Sequence, residues 1–446
     1  MSTNYGFHTL GSYPFEKTTQ GHKSQANELE IGILDNRFQQ QTCTEENAST
    51  RLKWTDVPEL GVVSSAPDLI CFSHLRWDFV YQRPQHLLSR CAQMRRVFVV
   101  EEPIASPDDS WWLELSRREG GIWIAVPYLP QNISEEDAIV LQKHLLDCLF
   151  AEAQIQFPIL WYYTPMVLPF THHLAAQASA IVYDCMDELS AFQGAHPQIQ
   201  AREAHLFKLA DLVFTGGRSL YEAKQHQHSQ VHAFPSSIDA AHFAQARKLT
   251  EEPSDQAAIP HPRLGFYGVV DERMDLALLE GIAKAKPDWH LVIIGPVVKI
   301  APSTLPNHAN IHYLGSKSYQ ELPSYLAGWD VALLPFAHNE STRFISPTKT
   351  PEYLAAGKPV VSTSIRDVVR PYGEARLVQI ADTVSEFVAA IATALEHNLT
   401  QAEWLHQVDT FLAQTSWDRT WQAMNELIEA VIDVKASKNS TTKLAV

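Results

Sequence analysis

The chain reads as two tandem α/β domains, each built on a doubly wound parallel sheet, and three observations carry that reading. From Asp68 onward, short and nearly continuous apolar runs alternate with helix-length amphipathic segments. The alternation pauses at "TEEPSDQAAIPHP", a Pro- and acid-rich stretch over residues 250–262, and then restarts. Strands covered by helices on both faces are written as apolar runs rather than as period-two alternation, which is the form seen here. A length of 446 residues accommodates such an arrangement, at ~100–200 residues per domain.

In chain order, residues 1–60 are rich in Gln, Asn, Thr and Glu with little apolar periodicity, the composition of a flexible segment. The first domain is expected over 61–248, with strands in "DLICFSHL", "RRVFVVEEP", "GIWIAVPYL", "FPILWYY", "AIVYDCMDE" and "ADLVFTGG". The second is expected over 262–415, with strands in "RLGFYGVV", "HLVIIGP", "NIHYLG", "DVALLPF", "KPVVSTS" and "ARLVQI". A helix over 416–435 follows: Ser416 suits its N-cap, and Trp421, Met424, Ile428 and Val431 share one face, which is expected to pack back on the first domain. Residues 436–446 read as a flexible polar tail. Ligands of open parallel sheets bind beyond the carboxyl ends of the strands, so the cleft between the domains is the expected site.

Composition excludes several partners. A formal net charge of −16 repels nucleic acid and anionic lipid on average. Cys43, Cys71, Cys91, Cys148 and Cys185 are scattered without CxxC spacing, which indicates neither a disulfide framework nor a zinc site. No apolar run reaches the ~18 residues of a membrane span, and the N-terminus lacks a charged and apolar leader, so a cytoplasmic location is the expectation. His226, His228 and His232 fall where a helix gives way to a strand, with no Cys or carboxylate cluster beside them, and no metal site is expected there.

The stretch "FISPTKTPEYLAAGKPVV", residues 344–361, carries the sharpest local signal. Lys349 precedes Glu352 by three positions, either within a helix beginning near Ser346 and Pro347 or beside one beginning at Thr350 and Pro351. In both registers a helix start and a lysine charge face the cleft, a natural seat for a diphosphate, while an ionised Glu352 suits ribose hydroxyls. By spacing alone, an ordinary i,i+3 surface pair accounts for the same two residues. In the first domain, "YDCMDEL" places Asp184 at a strand end and Asp187 in the following turn. A carboxylate held near a substrate hydroxyl can take its proton; Asp187 is the first candidate for such a base and Asp184 the second, although either could cap the next helix. His74, Arg76, Trp77 and Arg83 in "HLRWDFVYQRPQ" follow the first strand and could reach the cleft, and the Arg83 fork suits a phosphate or carboxylate.

"SPTKTPEYLAAGKPVV" followed by "STSIRDVV" resembles the C-terminal signature of GT-B glycosyltransferases, in particular bacterial enzymes similar to glycosyltransferase family 4, family 1-type enzymes and the xanthan glucuronosyltransferase. The likeness runs over about residues 66–435, where "DLICFSHLRWDFVYQRPQHL", "YDCMDEL", "GFYGVVDERMDLALL", "VIIGP" and "SWDRTW" recur in the order of that family. The resemblance implies a donor side formed by Lys349, Glu352, Gly268, Arg273 and Pro347, and a nucleobase pocket read by backbone amides around Tyr313. It implies an acceptor side in the first domain, with His74, Trp77 and Arg83 between the domains. Many relatives carry a Glu-x7-Glu motif whose first Glu falls on Phe344 here, a departure that leaves the donor sugar and the anomeric outcome open.

The function implied is metal-independent transfer of a sugar from a nucleoside diphosphate sugar, a UDP-sugar, to a hydroxyl of a glycan or lipid-linked acceptor in bacterial polysaccharide or glycoconjugate synthesis. No cofactor beyond the nucleotide sugar and no nucleic acid partner are expected. The aromatics Trp111, Trp112 and "WYYTPMVLPF" read either as core or as a peripheral contact with a membrane surface. Two alternatives remain on this architecture: a non-hydrolysing sugar-nucleotide 2-epimerase and a non-catalytic sugar-nucleotide-binding scaffold.

Overall fold

A computed structural model describes residues 51–55, 66–396 and 401–444. The first sheet is built from β1 (Leu52–Trp54), β2 (Leu69–Phe72), β3 (Val97–Val100), β4 (Ile104–Ala105), β5 (Trp112–Arg117), β6 (Ile122–Leu129), β7 (Ile159–Tyr162), β8 (Ala180–Cys185), β9 (Leu212–Thr215) and β10 (Val231–Ala233). Its strand order is β1-β5-β6-β3-β2-β7-β8-β9-β10, with β4 pairing β6. The second sheet contains β11 (Arg263–Tyr267), β12 (His290–Ile294), β13 (Ile311–Tyr313), β14 (Val331–Leu334), β15 (Val360–Ser362) and β16 (Gln379–Ile380), ordered β13-β12-β11-β14-β15-β16.

Apart from edge strand β1, the chain enters each sheet near its centre, at β2 and β11, winds to one side and returns to wind to the other. The reversal falls between β2 and β7 in the first sheet and between β11 and β14 in the second. Loops leaving the carboxyl ends at a reversal point splay apart and leave a crevice, and the two crevices of this chain face one another. The central strands β2, β3, β7 and β8 are buried along their whole length, which explains their unbroken apolar sequences.

Several elements depart from the sequence expectation. The first sheet is not wholly parallel, because β5 and β6 pair antiparallel through a turn in which Gly120 and Gly121 adopt φ of 79° and 83°. Such values favour residues without a Cβ. Strand β1 lies inside the segment expected to be flexible, held by buried Leu52 and by Trp54, edge-on to Trp123 at 5.2 Å. The stretch 250–262 is docked: Arg263 pairs with Glu252 at 2.6 Å, and Gln256 accepts from the Trp329 indole at 2.9 Å. Trp112, Trp161, Tyr162, Tyr163, Leu168 and Phe170 are core residues, as the first of the two readings has it, and Trp111 is half-buried against the same core. Among the described residues no helix is long and apolar enough to cross a membrane.

The final helix runs Trp417–Leu444, past the 435 at which the sequence pattern ends it. Its apolar face, Trp417, Trp421, Met424 and Ile428, completes the first domain's core. Arg90 to Asp418 at 2.6 Å, Arg95 to Glu429 and Lys435 to Asp211 at 2.6 Å tie it along its length.

Candidate active site

The cleft between the domains encloses a cavity of about 390 Å³. The first domain contributes loops that follow β2 and β8; the second contributes the loops after β11, β12 and β13 and the helix Lys349–Ala355.

The helix start differs from both registers considered above. Helical structure begins at Lys349, so Lys349 occupies the first helical position and Glu352 lies one turn further. Pro351 then sits in the first turn, where backbone N–H groups have no intrahelical partner and the missing one costs nothing. At seven residues the helix carries a small dipole, and the positive charge at this wall comes chiefly from Lys349 itself. Lys349 forms no ion pair among the described residues. Burial depresses its ammonium below the usual lysine value, against the pull of nearby Glu352. A half-buried cation that has carboxylates nearby but no direct ion pair is suited to receive an anionic ligand.

Gly268 explains how Lys349 reaches the cavity. It follows β11 with φ of 143°, and a Cβ there would lie 2.2 Å from Lys349 Cε. Only a residue without a side chain lets the lysine stem cross this loop. Glu352 is 6% exposed and accepts a hydrogen bond from the Tyr267 hydroxyl on Oε2. Burial pushes its carboxyl up to about 7, opposed by that hydrogen bond and by Lys349. Pro347 lines the same wall, beside Ser346, whose carbonyl accepts from Ser236 Oγ of the first domain at 2.6 Å.

Opposite this wall stands Asp187. Its carboxyl receives no hydrogen bond among the described residues, and burial raises it to about 6, with Arg273 and Arg83 pulling the other way. A carboxylate near neutrality is suited to accept a proton during reaction. Arg273 reaches the cavity while held by Asp271, with contacts of 2.7–3.1 Å, and lies 5.6 Å over the Phe192 ring of the first domain. Trp77 lines the cavity too, its N–H donating to Glu101 at 2.7 Å.

Other expected residues are elsewhere. Asp184 is fully buried and receives Arg83 Nε at 3.1 and 3.0 Å and Nη2 at 2.8 Å. That lock removes Asp184 from the set of free carboxylates. It also commits the Arg83 fork to an internal partner, although Arg83 still borders the cavity. His74 does not line the cavity; burial, with Lys299 nearby, holds it down at about 4, and its Nδ1 is buried without a partner. Tyr313 ends edge strand β13 facing outward, 36% exposed, with its hydroxyl on the Pro306 carbonyl at 3.1 Å. The wall expected around it is formed instead by Ser316, Lys317, Ser318 and Tyr319. Tyr319 stacks on Tyr81 of the first domain at 4.5 Å. Phe344, at the position where many relatives carry a first Glu, packs against the first domain's core. Tyr267 went unrecognised in the sequence, though it directly precedes Gly268 in "GFYG".

The facing reversal points, the cross-domain cavity and the lysine wall define a GT-B fold. Within that class, residues 261–397 match the family described as Glycosyl transferases group 1, so the second domain is a glycosyltransferase group 1 domain. TuaH of Bacillus subtilis (strain 168), named as a teichuronic acid biosynthesis glycosyltransferase, is 25% identical over 203 residues, 42% of this chain and 50% of that protein. The chain thus spans about half the length of that curated relative. Among solved structures, a sucrose-phosphate synthase from Thermosynechococcus elongatus is similar with a TM-score of 0.63 and 14% identity, over 83% of this chain and 100% of that one. An E. coli trehalose-6-phosphate structure bound with UDP-2-fluoro glucose gives 0.61 and 13%, over 81% and 99%. Anabaena HepE in complex with UDP and glucose gives 0.57 and 14%, over 81% and 99%. At such identities the likeness shows the fold.

Proposed function

We propose that this protein transfers a sugar from a UDP-sugar to a hydroxyl of a glycan or lipid-linked acceptor, in bacterial polysaccharide or glycoconjugate synthesis. The observation that carries this reading is Lys349, a cation with no direct ion pair among the described residues, beside the Gly268 gap in a cavity that Asp187 of the first domain also lines. Lys349, with Arg273 as a second cation, takes the diphosphate and neutralises charge as UDP leaves. This supply of charge from side chains underlies the proposal that no metal takes part. Glu352 accepts from the ribose hydroxyls. Asp187 takes the acceptor proton as the new oxygen–carbon bond forms and the bond from the anomeric carbon to phosphate breaks. Displacement of this kind inverts the anomeric centre. Closure of the two domains excludes water, which would otherwise compete as acceptor. UDP or a UDP-sugar analogue, bound in two of the structural relatives, and the teichuronic acid role in the name of TuaH support the donor and the pathway.

Incubation of the purified protein with a set of UDP-sugars tests this reading. Slow release of UDP in the absence of acceptor is the expected result. Inversion at C2 of the sugar would instead establish an epimerase, and binding without turnover a scaffold.

A further inference from the structure

We propose that the Tyr267 hydroxyl is a positioning group that sets the Glu352 carboxylate to receive the ribose diol of the bound nucleotide; this rests on the donor reading above. Tyr267 ends β11 at 6% exposure, directly before Gly268. Its hydroxyl proton lies on Glu352 Oε2, the one side-chain hydrogen bond that Glu352 receives among the described residues. Oε1 receives no hydrogen bond among the described residues, and Glu352 lines the cavity. The tyrosine is itself held at the backbone: its N–H donates to the Tyr353 hydroxyl at 2.9 Å, and that hydroxyl donates back to the Tyr267 carbonyl at 3.4 Å. The Tyr353 ring meets the Tyr267 ring edge-on at 5.0 Å.

One short stretch therefore grips one loop at three points. Lys349 crosses Gly268, Glu352 takes the Tyr267 side chain, and Tyr353 takes the Tyr267 backbone. The spacing of Lys349, Glu352 and Tyr353 in "KTPEY" matches this loop as closely as it matches any ligand.

The arrangement has a chemical consequence. A carboxyl buried among aromatic rings tends to hold its proton, and a protonated oxygen is a poor acceptor for a diol. The titratable groups that face Glu352 are Tyr267 from β11, Lys349 from its own helix, Tyr353 beside it and Tyr319 from the loop beyond β13. Only Lys349 is charged near neutrality. Tyr267 keeps its proton, since burial first and the neighbouring carboxylate second push its hydroxyl far above the usual tyrosine value. It thus remains a donor throughout the range in which Glu352 titrates.

The test compares UDP with 2′,3′-dideoxy-UDP by calorimetry at pH 6, 7 and 8.5, on the full chain and its Tyr267→Phe variant. Loss of a hydrogen bond to a charged group should weaken UDP binding about 10-fold or more at pH 7. Part of that loss should return at pH 8.5, where Glu352 ionises without help. The dideoxy nucleotide, which has no diol, should bind both proteins alike. Equal losses for the two nucleotides, or a loss independent of pH, would overturn the positioning role. Should Tyr267→Phe fail to fold, Glu352→Gln serves: with Tyr267 in place it should erase the difference between the pH profiles of UDP and the dideoxy nucleotide, the phosphates of both titrating alike, and a difference that persists would overturn the role equally. If the wild-type chain binds neither nucleotide at any pH, the donor reading itself falls and the role of Tyr267 falls with it.

Discussion

Replacing Asp187 by Asn separates its chemical role from its structural cost. The carboxyl is held at about 6 instead of its ordinary 3.8, with burial as the main cause. Below pH ~4 it is protonated in both folded and unfolded chains and contributes nothing to pH dependence. Between those values the unfolded chain releases the proton while the folded chain keeps it, so stability falls as pH rises and levels off above about 6. At 1.36 kcal/mol per pH unit the cost at neutral pH approaches roughly 3 kcal/mol, an upper bound because the carboxyl still meets solvent in the cleft. Asn keeps the size and removes the charge. The variant should therefore melt a few degrees higher than wild type at pH 8, with the difference vanishing near pH 4. Turnover should move the opposite way, falling ~10²–10⁴-fold, the range for loss of a general base. UDP affinity should stay nearly constant, since Lys349 and Glu352 lie in the other domain. The assays are thermal melting over a pH series, UDP release with acceptor present, and calorimetry. A variant that is less stable at pH 8, or that keeps turnover within a few-fold of wild type, refutes the assignment.

Three further outcomes follow from the same geometry. Lys349→Ala should weaken UDP binding by roughly 1.5–3 kcal/mol, and Gly268→Ala, which drives a methyl into the lysine stem, should weaken it similarly, with the double variant no worse than the poorer single one; UDP affinity unchanged in both would remove the phosphate assignment. Arg83→Met strands a buried Asp184 and should cost about 3–5 kcal/mol in urea unfolding, so an unchanged midpoint would show that the pair matters little. Turnover should survive EDTA, whereas a loss restored by Mg²⁺ or Mn²⁺ would reveal a metal in the reaction.

The two sheets were legible because strands buried on both faces must be apolar throughout, as in "LICF" of β2 and "VALL" of β14. The outer strands β1 and β5 of the first sheet escaped for the converse reason. In β5, "WLELSR" alternates toward solvent and loses its apolar run, and β1 has only three residues, Leu52–Trp54. Trp111 and Trp112 looked exposed because what covers them comes from that same polar segment: Arg51 lies 3.7 Å over one ring and Lys53 3.4 Å over the other. In the site, Lys349, Glu352, Gly268, Arg273 and Asp187 were readable as local motifs and do border the cavity. What could not be read was pairing at long range. Nothing near Asp184 in sequence shows that Arg83, 101 positions away, occupies it, nor that Glu352 meets Tyr267 at a separation of 85.

The division of labour between the domains follows from where charge can be afforded. The second domain presents Lys349 with no direct ion pair among the described residues, and on the proposed reading the diphosphate supplies that pair. The first domain presents a carboxyl that prefers its proton until a basic environment or a nearby cation draws it off. Contacts bridging the domains already hold these walls in register: Asp367 accepts from the Arg218 and Ser219 N–H groups at 2.9 and 3.0 Å, and Arg273 lies over Phe192. On the proposed reading the two walls then have complementary tasks: Lys349 gains a direct anionic partner when the diphosphate binds, and Asp187 gains a proton when the acceptor hydroxyl reacts, so the proposed reaction draws on both walls at once.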